Sequence, residues 1–259
     1  MGFVWDDELR HYDFGPGHPL SPIRTVLTYK LIESLKILEA PNCRLISDIE
    51  LATDDDLLRV HHPDFIESVK LASQGTGYRD LSRGLGTDDV PIFEGMHPAA
   101  ARVCGATLAA AQAVHTGSAT HAVNIAGGLH HSMPGSASGF CVYNDVGVAM
   151  AWLLAQGVER IGYVDVDVHH GDGVQEIFYD DPRVMTISLH ESGKTLFPGT
   201  GRHTEIGGPN ALGTAVNIAV PAGTTDDGWL RAFDAVVPKV LHKFQPQVLV
   251  TQQGCDSHR

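Results

Sequence analysis

Residues 161–173 read IGYVDVDVHHGDG and combine an apolar run with a cluster of acidic residues and histidines. The short apolar run with alternating acidic residues predicts a strand over residues 161–168. Because alternate residues of a strand face the same side, we expect Asp165, Asp167 and His169 to project together. Three polar side chains on one face of a buried strand are costly unless they find partners. Carboxylate and imidazole ligands suit zinc or a similar divalent ion, so a metal site is predicted, with a metal-free hydrogen-bond network as the alternative.

Other short apolar runs predict further strands on both sides of this stretch. They cover residues 122–126, 184–189, 215–220 and 247–251. Helical patterns separate them, at residues 22–38, 98–114 and 146–155. Runs of Val and Ile between helices are typical of a parallel sheet covered on both faces. The prediction is an α/β fold: a single domain over residues 1–259, with an open, mostly parallel sheet flanked by helices.

Helix 22–38 is predicted from a Pro at its start and from apolar residues at helical spacing. These residues are Val26, Leu27, Leu31, Leu35 and Leu38. The Gly- and Asp-rich residues 74–89 are predicted to form a loop.

Two adjacent histidines, His130 and His131, follow the strand predicted at residues 122–126. Ligands bind at the carboxyl ends of strands in open α/β sheets, so these histidines are predicted to lie near the first cluster. They could be two more metal ligands. They could equally be an acid/base pair, each oriented by a carboxylate, with Asp165 and Asp172 as the available carboxylates.

A third cluster, Gln252-Gln-Gly-Cys-Asp256, follows the last predicted strand. With Asp167 and His169, Asp256 would complete three protein ligands and leave an open position for water, as catalytic zinc requires. The alternative for a lone Asp after a strand is a helix cap. Two aromatic residues on Gly-rich turns, Phe140 and Phe197, either line a channel to the site or belong to the core.

The composition restricts the class of protein. The formal net charge is -13, which disfavours direct binding to nucleic acid or to an anionic membrane and is compatible with cationic partners or with solubility alone. We found neither an apolar run long enough to span a bilayer nor a signal-like N-terminus, so a cytoplasmic location is expected. The four cysteines form no C-x-x-C pair, which disfavours a zinc finger.

Taken together, these segments resemble the histone deacetylase superfamily. The matching segments are HPLSPIR (residues 18–24), GGLHH (127–131), SGFC (138–141), DVDVHHGDG (165–173), FPGTG (197–201) and GCDS (254–257). The opening FGPGHPL (14–20) looks most like the bacterial acetoin-utilisation (AcuC) branch. The resemblance implies a sheet of the arginase/deacetylase type and a hydrolase acting on amide bonds.

The resemblance also implies roles for individual residues. The zinc ligands would be Asp167, His169 and Asp256, with Fe²⁺ as a possible substitute for Zn²⁺. The tandem histidines would be His130 and His131, with Asp165 and Asp172 as their carboxylate partners. The substrate-binding residues would be Asp89, Gly139, Phe140 and Phe197. Arg24 would lie in a channel linked to acetate release, and a structural K⁺ would lie near Asp165, Asp167, His169, Ser188 and Leu189.

The chain departs from the family at its end. Family members supply a hydrogen bond to the reacting carbonyl oxygen from a tyrosine on a Gly-rich loop well downstream of the third zinc ligand. This sequence ends at Arg259, three residues after Asp256, without a Gly-Gly-Gly-Tyr-like segment. We therefore expect that it lacks the C-terminal part of a deacetylase domain.

The resemblance implies removal of acetyl groups from N-ε-acetyllysine in a protein such as acetyl-CoA synthetase, linked to acetoin or acetate metabolism. A small-molecule (acetylpolyamine) deacetylase is the first alternative. A non-catalytic module that binds acetylated ligands is the second, should the short chain be natural. An arginase-like manganese hydrolase is less favoured, because it needs more bridging carboxylates than the sequence offers.

Overall fold

Parallel strands form two separate sheets in residues 1–257, the part of the chain that the computed structural model describes. Contacts within the chain divide it into two units, Met1–Leu153 and Leu154–Arg259. The predicted α/β class with parallel strands flanked by helices is confirmed. The single domain over residues 1–259 remains a prediction.

The first unit contains a three-stranded sheet and most of the helices. Its strands are β1 (Gly2–Val4), β2 (Arg44–Ile46) and β3 (Ala122–Asn124). The helices are α1 (Ile23–Ser34), α2 (Asp54–Leu57), α3 (Pro63–Ala72), α4 (Met96–His115) and α5 (Asp145–Ala155), the last of which reaches the division between the units. The strand order is β2-β1-β3, and both pairings are parallel.

The second unit contains a four-stranded sheet. Its strands are β4 (Ile161–Asp165), β5 (Val184–Glu191), β6 (Ala215–Val220) and β7 (Val248–Gln252), and its helices are α6 (Asp172–Phe178) and α7 (Asp226–Phe244). The order β6-β5-β4-β7 places β4 between two neighbours, and all three pairings are parallel. Asp165, the last residue of β4, is paired with Ser188 of β5 and Gln252 of β7.

Helix α7 packs on the second sheet through its apolar face. Val237 of α7 and Val164 and Ile187 of the central strands are buried in one cluster, against which Phe233 and Leu241 also pack. Fully burying a side chain such as Ile187 contributes about 1.5–3 kcal/mol. This packing fixes strand β4, and therefore the residues that follow it.

The structure corrects two predicted boundaries. Helix α1 ends at Ser34 rather than at residue 38, because Lys36 adopts a left-handed conformation with φ 55° and a 3₁₀ turn at Ile37–Glu39 follows. Strand β4 ends at Asp165, so Asp167 and His169 lie beyond it and the expected strand alternation does not orient them. Hydrogen bonds from backbone N–H groups to the preceding carboxylates replace the strand ladder there.

The remaining predicted helices and strands are confirmed to within three residues of their observed ends, and residues 74–89 are mostly irregular apart from a 3₁₀ turn at Leu81–Arg83. The sequence did not predict four of the helices and two of the strands in residues 1–257, namely α2, α3, α6, α7, β1 and β2. Within residues 1–257, the helices are all too short or too polar to cross a bilayer.

Candidate metal centre and active-site residues

Three ligand-type side chains of the second unit converge beyond the carboxyl ends of β4 and β7. His169 Nδ1 lies 3.0 Å from Asp167 Oδ1 and 2.9 Å from Asp256 Oδ2. The potential ligand atoms of the three residues all lie within 4.8 Å of one another. Strands β4 and β7 are parallel neighbours, so the residues that follow them emerge at the same edge of the sheet. The structure thus brings together the three side chains that the sequence analysis named as candidate ligands, and their role as ligands stays a prediction.

Short-range hydrogen bonds orient these side chains. The backbone N–H of Asp167 donates to Asp165 Oδ1 (3.1 Å), and that of His169 donates to Asp167 Oδ1 (2.8 Å). These Asx-type turns bend the chain at the end of β4. From the side of β7, Gln252 Nε2 donates to Asp167 Oδ2 (3.2 Å), and the N–H of Val168 donates to Asp256 Oδ1 (3.1 Å). Each carboxylate is therefore held in place by protein donors.

The two carboxylates of this cluster carry negative charge that a proton or a metal cation can balance. Hydrogen bonds with Asp167 and then with Asp256 raise the pKa of His169 to about 10, against the opposing effect of burial. Two carboxylates around one imidazole therefore retain a proton well above neutral pH. A divalent ion could replace that proton, and two carboxylates with one imidazole suit zinc or ferrous iron. The donor set fits a metal centre.

Gly254 leaves space for Asp167. A Cβ at this position would collide with Asp167 Oδ2, while its N–H donates to Gln252 Oε1 (2.7 Å). The glycine thus allows the chain after β7 to pass directly over the Asp167 carboxylate.

The remaining predicted polar residues of the second unit are buried around this centre. Asp165 accepts a hydrogen bond from the Tyr163 hydroxyl (2.6 Å) in addition to the one from Asp167. Its register neighbour Ser188 and the adjacent Leu189 are buried in β5, so three of the five residues predicted to surround K⁺ lie on neighbouring strands, and the potassium site stays a prediction. Asp172 is the buried first residue of α6.

Phe197 lies beside the ligand cluster. The residue is 44% exposed, and its ring meets the His169 ring edge-on, with centroids 6.2 Å apart. The loop that carries Phe197 is held at its far end, where Glu205 accepts hydrogen bonds from the N–H groups of Gly201 and Arg202. An exposed aromatic residue next to His169, a candidate ligand, fits the wall of a binding site better than it fits a core.

In the first unit, the tandem histidines lie in a turn between β3 and α5. Both are buried, and their rings pack with centroids 4.0 Å apart. The backbone N–H groups of Gly128 and Leu129, just before them, donate to the carboxylate of Asp145. Asp145 is a candidate functional residue that the sequence motifs did not indicate. A signal for it was available, because an Asp at the start of an apolar helix needs a partner when it is buried.

The predicted substrate-binding residues of the first unit also contact one another. The N–H of Gly139 donates to Asp89 Oδ2 (2.7 Å), and a Cβ on Gly139 would collide with the His131 imidazole. Phe140 adopts a left-handed conformation, with φ 65°. Its carbonyl accepts a hydrogen bond from the buried Tyr12 hydroxyl (2.8 Å), which in turn accepts from Val142 N (2.9 Å).

His18 supports the same aromatic ring from another side. Its Nδ1 accepts from the N–H of Leu20, so its Nε2 is the protonated nitrogen that donates to the Asp89 carbonyl (3.3 Å). The His18 ring meets Phe140 edge-on at 4.7 Å. Arg24, predicted from the resemblance, lies on α1 and is exposed.

The chain is similar to proteins of one known family. The model of the histone deacetylase domain matches residues 18–259. The acetoin utilization protein AcuC of Bacillus subtilis (strain 168) is 42% identical over 258 residues, and that of Staphylococcus xylosus is 37% identical over 259. In both cases the match covers 99% of this chain but 66% of the relative, so the chain spans just under two thirds of the relatives' length.

Solved structures give the same result. A crystal structure of an HDAC homologue from Aquifex aeolicus superposes with a TM-score of 0.87 at 30% identity, covering 96% of this chain and 67% of that one. A structure of an HDAC homologue complexed with SAHA superposes with a TM-score of 0.86 at 29% identity, with the same coverage. The predicted resemblance, including that to AcuC proteins, is confirmed, and the chain belongs to the histone deacetylase family.

Proposed function

We propose that this protein is a metal-dependent deacetylase that hydrolyses the acetyl amide of N-ε-acetyllysine in proteins. The convergence of Asp167, His169 and Asp256 at the edge of a parallel sheet carries the proposal. Family membership supports a hydrolytic deacetylase. Because the chain spans 66% of its AcuC relatives, the activity of the whole protein is part of the proposal.

The metal is proposed to be zinc, with iron as the alternative. Held by the two carboxylates and the imidazole, it would polarise the amide carbonyl and lower the pKa of a water molecule. The hydrogen bonds that Asp167 accepts from His169 N and Gln252 Nε2 would keep this carboxylate oriented before a metal binds. Mutating a group that hydrogen-bonds to a metal ligand typically lowers the metal affinity by about 10- to 100-fold.

The tandem histidines are proposed to move the protons. His131 takes a proton from the attacking water and delivers a proton to the leaving lysine amine. His130 stabilises developing charge, and Asp165 and Asp172 are proposed as the carboxylate partners of His130 and His131, respectively. General acid–base catalysis of this kind typically contributes about 10²- to 10⁴-fold in rate. In this proposal Arg24 assists acetate release, and K⁺ binds near Asp165 and Ser188.

The substrate is proposed to be a long, narrow side chain. Phe140 and Phe197 supply aromatic surface for the lysine methylenes, and the exposure of Phe197 next to His169 supports this role. Gly139 brings backbone close to the His131 ring where a larger residue would not fit. The Asp89 carboxylate has one oxygen on the Gly139 N–H and a second that can accept an N–H from the substrate backbone.

The relatives' name links them to acetoin utilisation, and we extend that link to this protein. Its substrate is then an acetylated metabolic enzyme such as acetyl-CoA synthetase. An acetylpolyamine is a cation of different size and without a peptide backbone. The Asp89 carboxylate would distinguish the two substrate classes, because it can recognise a backbone N–H.

The test is turnover of an acetyllysine peptide by this chain and by the gene product at its natural length, in which a tyrosine hydrogen-bond donor of the family type would be present. Each is assayed with zinc, with ferrous iron and with a chelator. We expect metal-dependent release of acetate, lost in Asp167→Ala and retained in the exposed control Asp55→Asn. Metal-loaded, folded protein of natural length without turnover would contradict the proposal. Faster turnover of acetylspermidine than of the peptide would reassign the substrate.

A further inference from the structure

The dipeptide Asn144-Asp145 at the start of α5 has no role in the proposed chemistry. Both side chains are fully buried, with no exposed area, although both are strongly polar. Burying a carboxylate is costly unless it is well hydrogen-bonded, so its contacts indicate what it stabilises. Those contacts are made with the backbone on either side of His130 and His131.

Asp145 binds the segment just before the tandem histidines. Its Oδ1 accepts from Leu129 N (2.7 Å), and its Oδ2 accepts from Gly128 N (3.0 Å) and from the Thr107 hydroxyl (2.5 Å). Burial raises the pKa of the Asp145 carboxyl, and these three donors act in the opposite direction. Both oxygens therefore bind the turn that leads into His130.

Gly127 allows this carboxylate to approach. A Cβ at Gly127 would collide with Asp145 Oδ2 and would lie 2.8 Å from Asn124 Nδ2 and from Thr107 Oγ1. The next residue, Gly128, has φ 88°, a conformation that favours glycine. The glycine pair before Leu129 is thus explained by two needs, space for a carboxylate and a left-handed turn.

Asn144 binds the segment that contains and follows the histidines. Its Nδ2 donates to the carbonyls of His130 (3.4 Å) and Ser132 (3.0 Å), while its Oδ1 accepts from Gly147 N in the first turn of α5 (2.8 Å). The backbone N–H of Asn144 donates to Nε2 of the buried His61 (3.0 Å). The dipeptide therefore holds the backbone on both sides of the two imidazoles.

We propose that Asn144 and Asp145 are positioning residues that fix the tandem histidines for the proposed deacetylation. The inference rests on the proposed function, because it assigns the dipeptide to the same reaction. Neither residue touches substrate in this account. A displacement of about 1 Å at a catalytic group can cost on the order of 10²-fold in rate, so a clamp on the backbone next to both histidines has a measurable consequence.

Asp145→Asn is the informative substitution, since it preserves shape while removing one acceptor. An amide oxygen in either orientation leaves its NH₂ group facing a backbone N–H, of Leu129 in one case and of Gly128 in the other. The turn must therefore shift. Gly127→Ala reaches the same end by another route, because its methyl group displaces the carboxylate without altering a polar group.

The kinetic experiment measures kcat, KM and bound metal for the natural-length protein and for these two variants. We expect kcat to fall about 10- to 100-fold in both, with KM and metal content within about twofold of wild type. Asp55→Asn, an exposed change of the same kind on α2, is the matched control and should leave all three unchanged. Variants with wild-type kcat would overturn the inference.

A second measurement does not need activity. Hydrogen exchange of backbone amides is followed by NMR, together with the imidazole resonances of His130 and His131. We expect Asp145→Asn to accelerate exchange at Gly128 and Leu129 and to shift both imidazoles, while α4 keeps wild-type rates. Uniformly faster exchange throughout α4 would instead show general destabilisation and overturn the positioning role. If wild type shows no turnover, the proposed function fails, and this measurement still decides the inference about the turn.

Discussion

His61 is a buried neutral imidazole whose two nitrogens have different partners. Nδ1 faces the carbonyl of Met133 (3.1 Å), which only accepts, so Nδ1 carries the proton. Nε2 then accepts from Asn144 N (3.0 Å). Burial lowers the pKa of His61 to about 4, because a second proton on Nε2 would face a donor in a dry environment. His61 is therefore an acid-sensitive support for the Asn144-Asp145 dipeptide.

The sign of the stability effect follows from this lowered pKa. Between about pH 6.5 and pH 4 the unfolded chain binds a proton at His61 that the folded chain does not, so the free energy of unfolding falls as the pH falls. The expected loss is about 1.4 kcal/mol per pH unit in that window, or about 3 kcal/mol in total. Urea unfolding of wild type and of His61→Gln at pH 7 and pH 4.5 measures it. Equal pH slopes for the two proteins would contradict the prediction.

Substituting Gly254 would test the candidate metal centre without changing any of its three candidate ligands. Its φ is not left-handed, so an alanine is compatible with the backbone, and the obstacle is the Asp167 carboxylate. Gly254→Ala should lower zinc affinity by about 10- to 100-fold, the range seen when support of a ligand is disturbed. Competition with a chromogenic chelator measures this affinity. Gly228→Ala, near the start of α7, serves as the control, and equal affinities of the two variants would refute the prediction.

We expect His169 to release a proton when a metal ion binds to it. Since its pKa is raised to about 10, it is protonated at pH 7 in the metal-free protein and must lose that proton to become a ligand. Protonation of His169 should then lower the apparent zinc affinity about tenfold for each unit by which the pH falls below 10. Calorimetry at pH 7 in buffers of different ionisation enthalpy should detect about one proton released by His169. The same heat in every buffer would exclude that release.

At the scale of elements, the sequence predicted five of the seven strands in residues 1–257, but not the reason why the candidate ligands face one another. Alternation along a strand placed Asp165, Asp167 and His169 together, and they do lie close in sequence and space. The strand ends at Asp165, however, and side-chain-to-backbone hydrogen bonds shape the next four residues. Competition of Asp side chains with a strand ladder depends on local geometry that hydrophobic patterns do not encode.

Helix α1 shows the opposite case, in which the pattern was read correctly as helical but its apolar side is not buried. None of its residues is buried, and Leu27 and Leu31 are each 57% exposed. The helix instead packs through Tyr29, whose ring stacks on Trp5 with centroids 4.7 Å apart. Ile23 and Leu35 extend the exposed apolar stripe. Periodicity predicts that a face is apolar, but it does not identify what covers that face.

This stripe gives a prediction for α1. In the 259-residue chain, Leu27→Gln and Leu31→Gln together should change the free energy of unfolding by less than about 1 kcal/mol, because little buried area is lost. They should also reduce self-association, since exposed apolar patches promote it. Urea unfolding and sedimentation velocity measure the two effects. A loss of several kcal/mol would show that the stripe is buried in solution.

At the scale of the whole molecule, the sequence identified most of the candidate site but little of its support. The ligand residues and both aromatic rings stand in recognisable segments because their chemistry restricts residue type. Asn144 and Asp145 support the histidine turn through contacts with residues 12 to 83 positions away. A buried Asp at a helix start indicates that a partner is needed, but the local pattern does not identify that partner. Helix α7 was missed for a different reason. Trp229, Phe233 and Val237 recur at helical spacing, but Pro238 lies inside the helix, and an internal proline usually indicates a helix end.

The net charge of -13 is the property of the whole chain that should act on substrate choice. A negative field attracts cationic peptides, so an acetyllysine flanked by Arg or Lys should react with a higher kcat/KM than one flanked by Asp or Glu. The Debye length shortens from about 30 Å at 0.01 M salt to about 8 Å at 0.15 M, so this preference should shrink as salt is added. Steady-state assays of the two peptides over that salt range test it, with a neutral peptide as the control. A preference that is independent of salt would mean that direct contacts, rather than the field of the molecule, discriminate between the peptides.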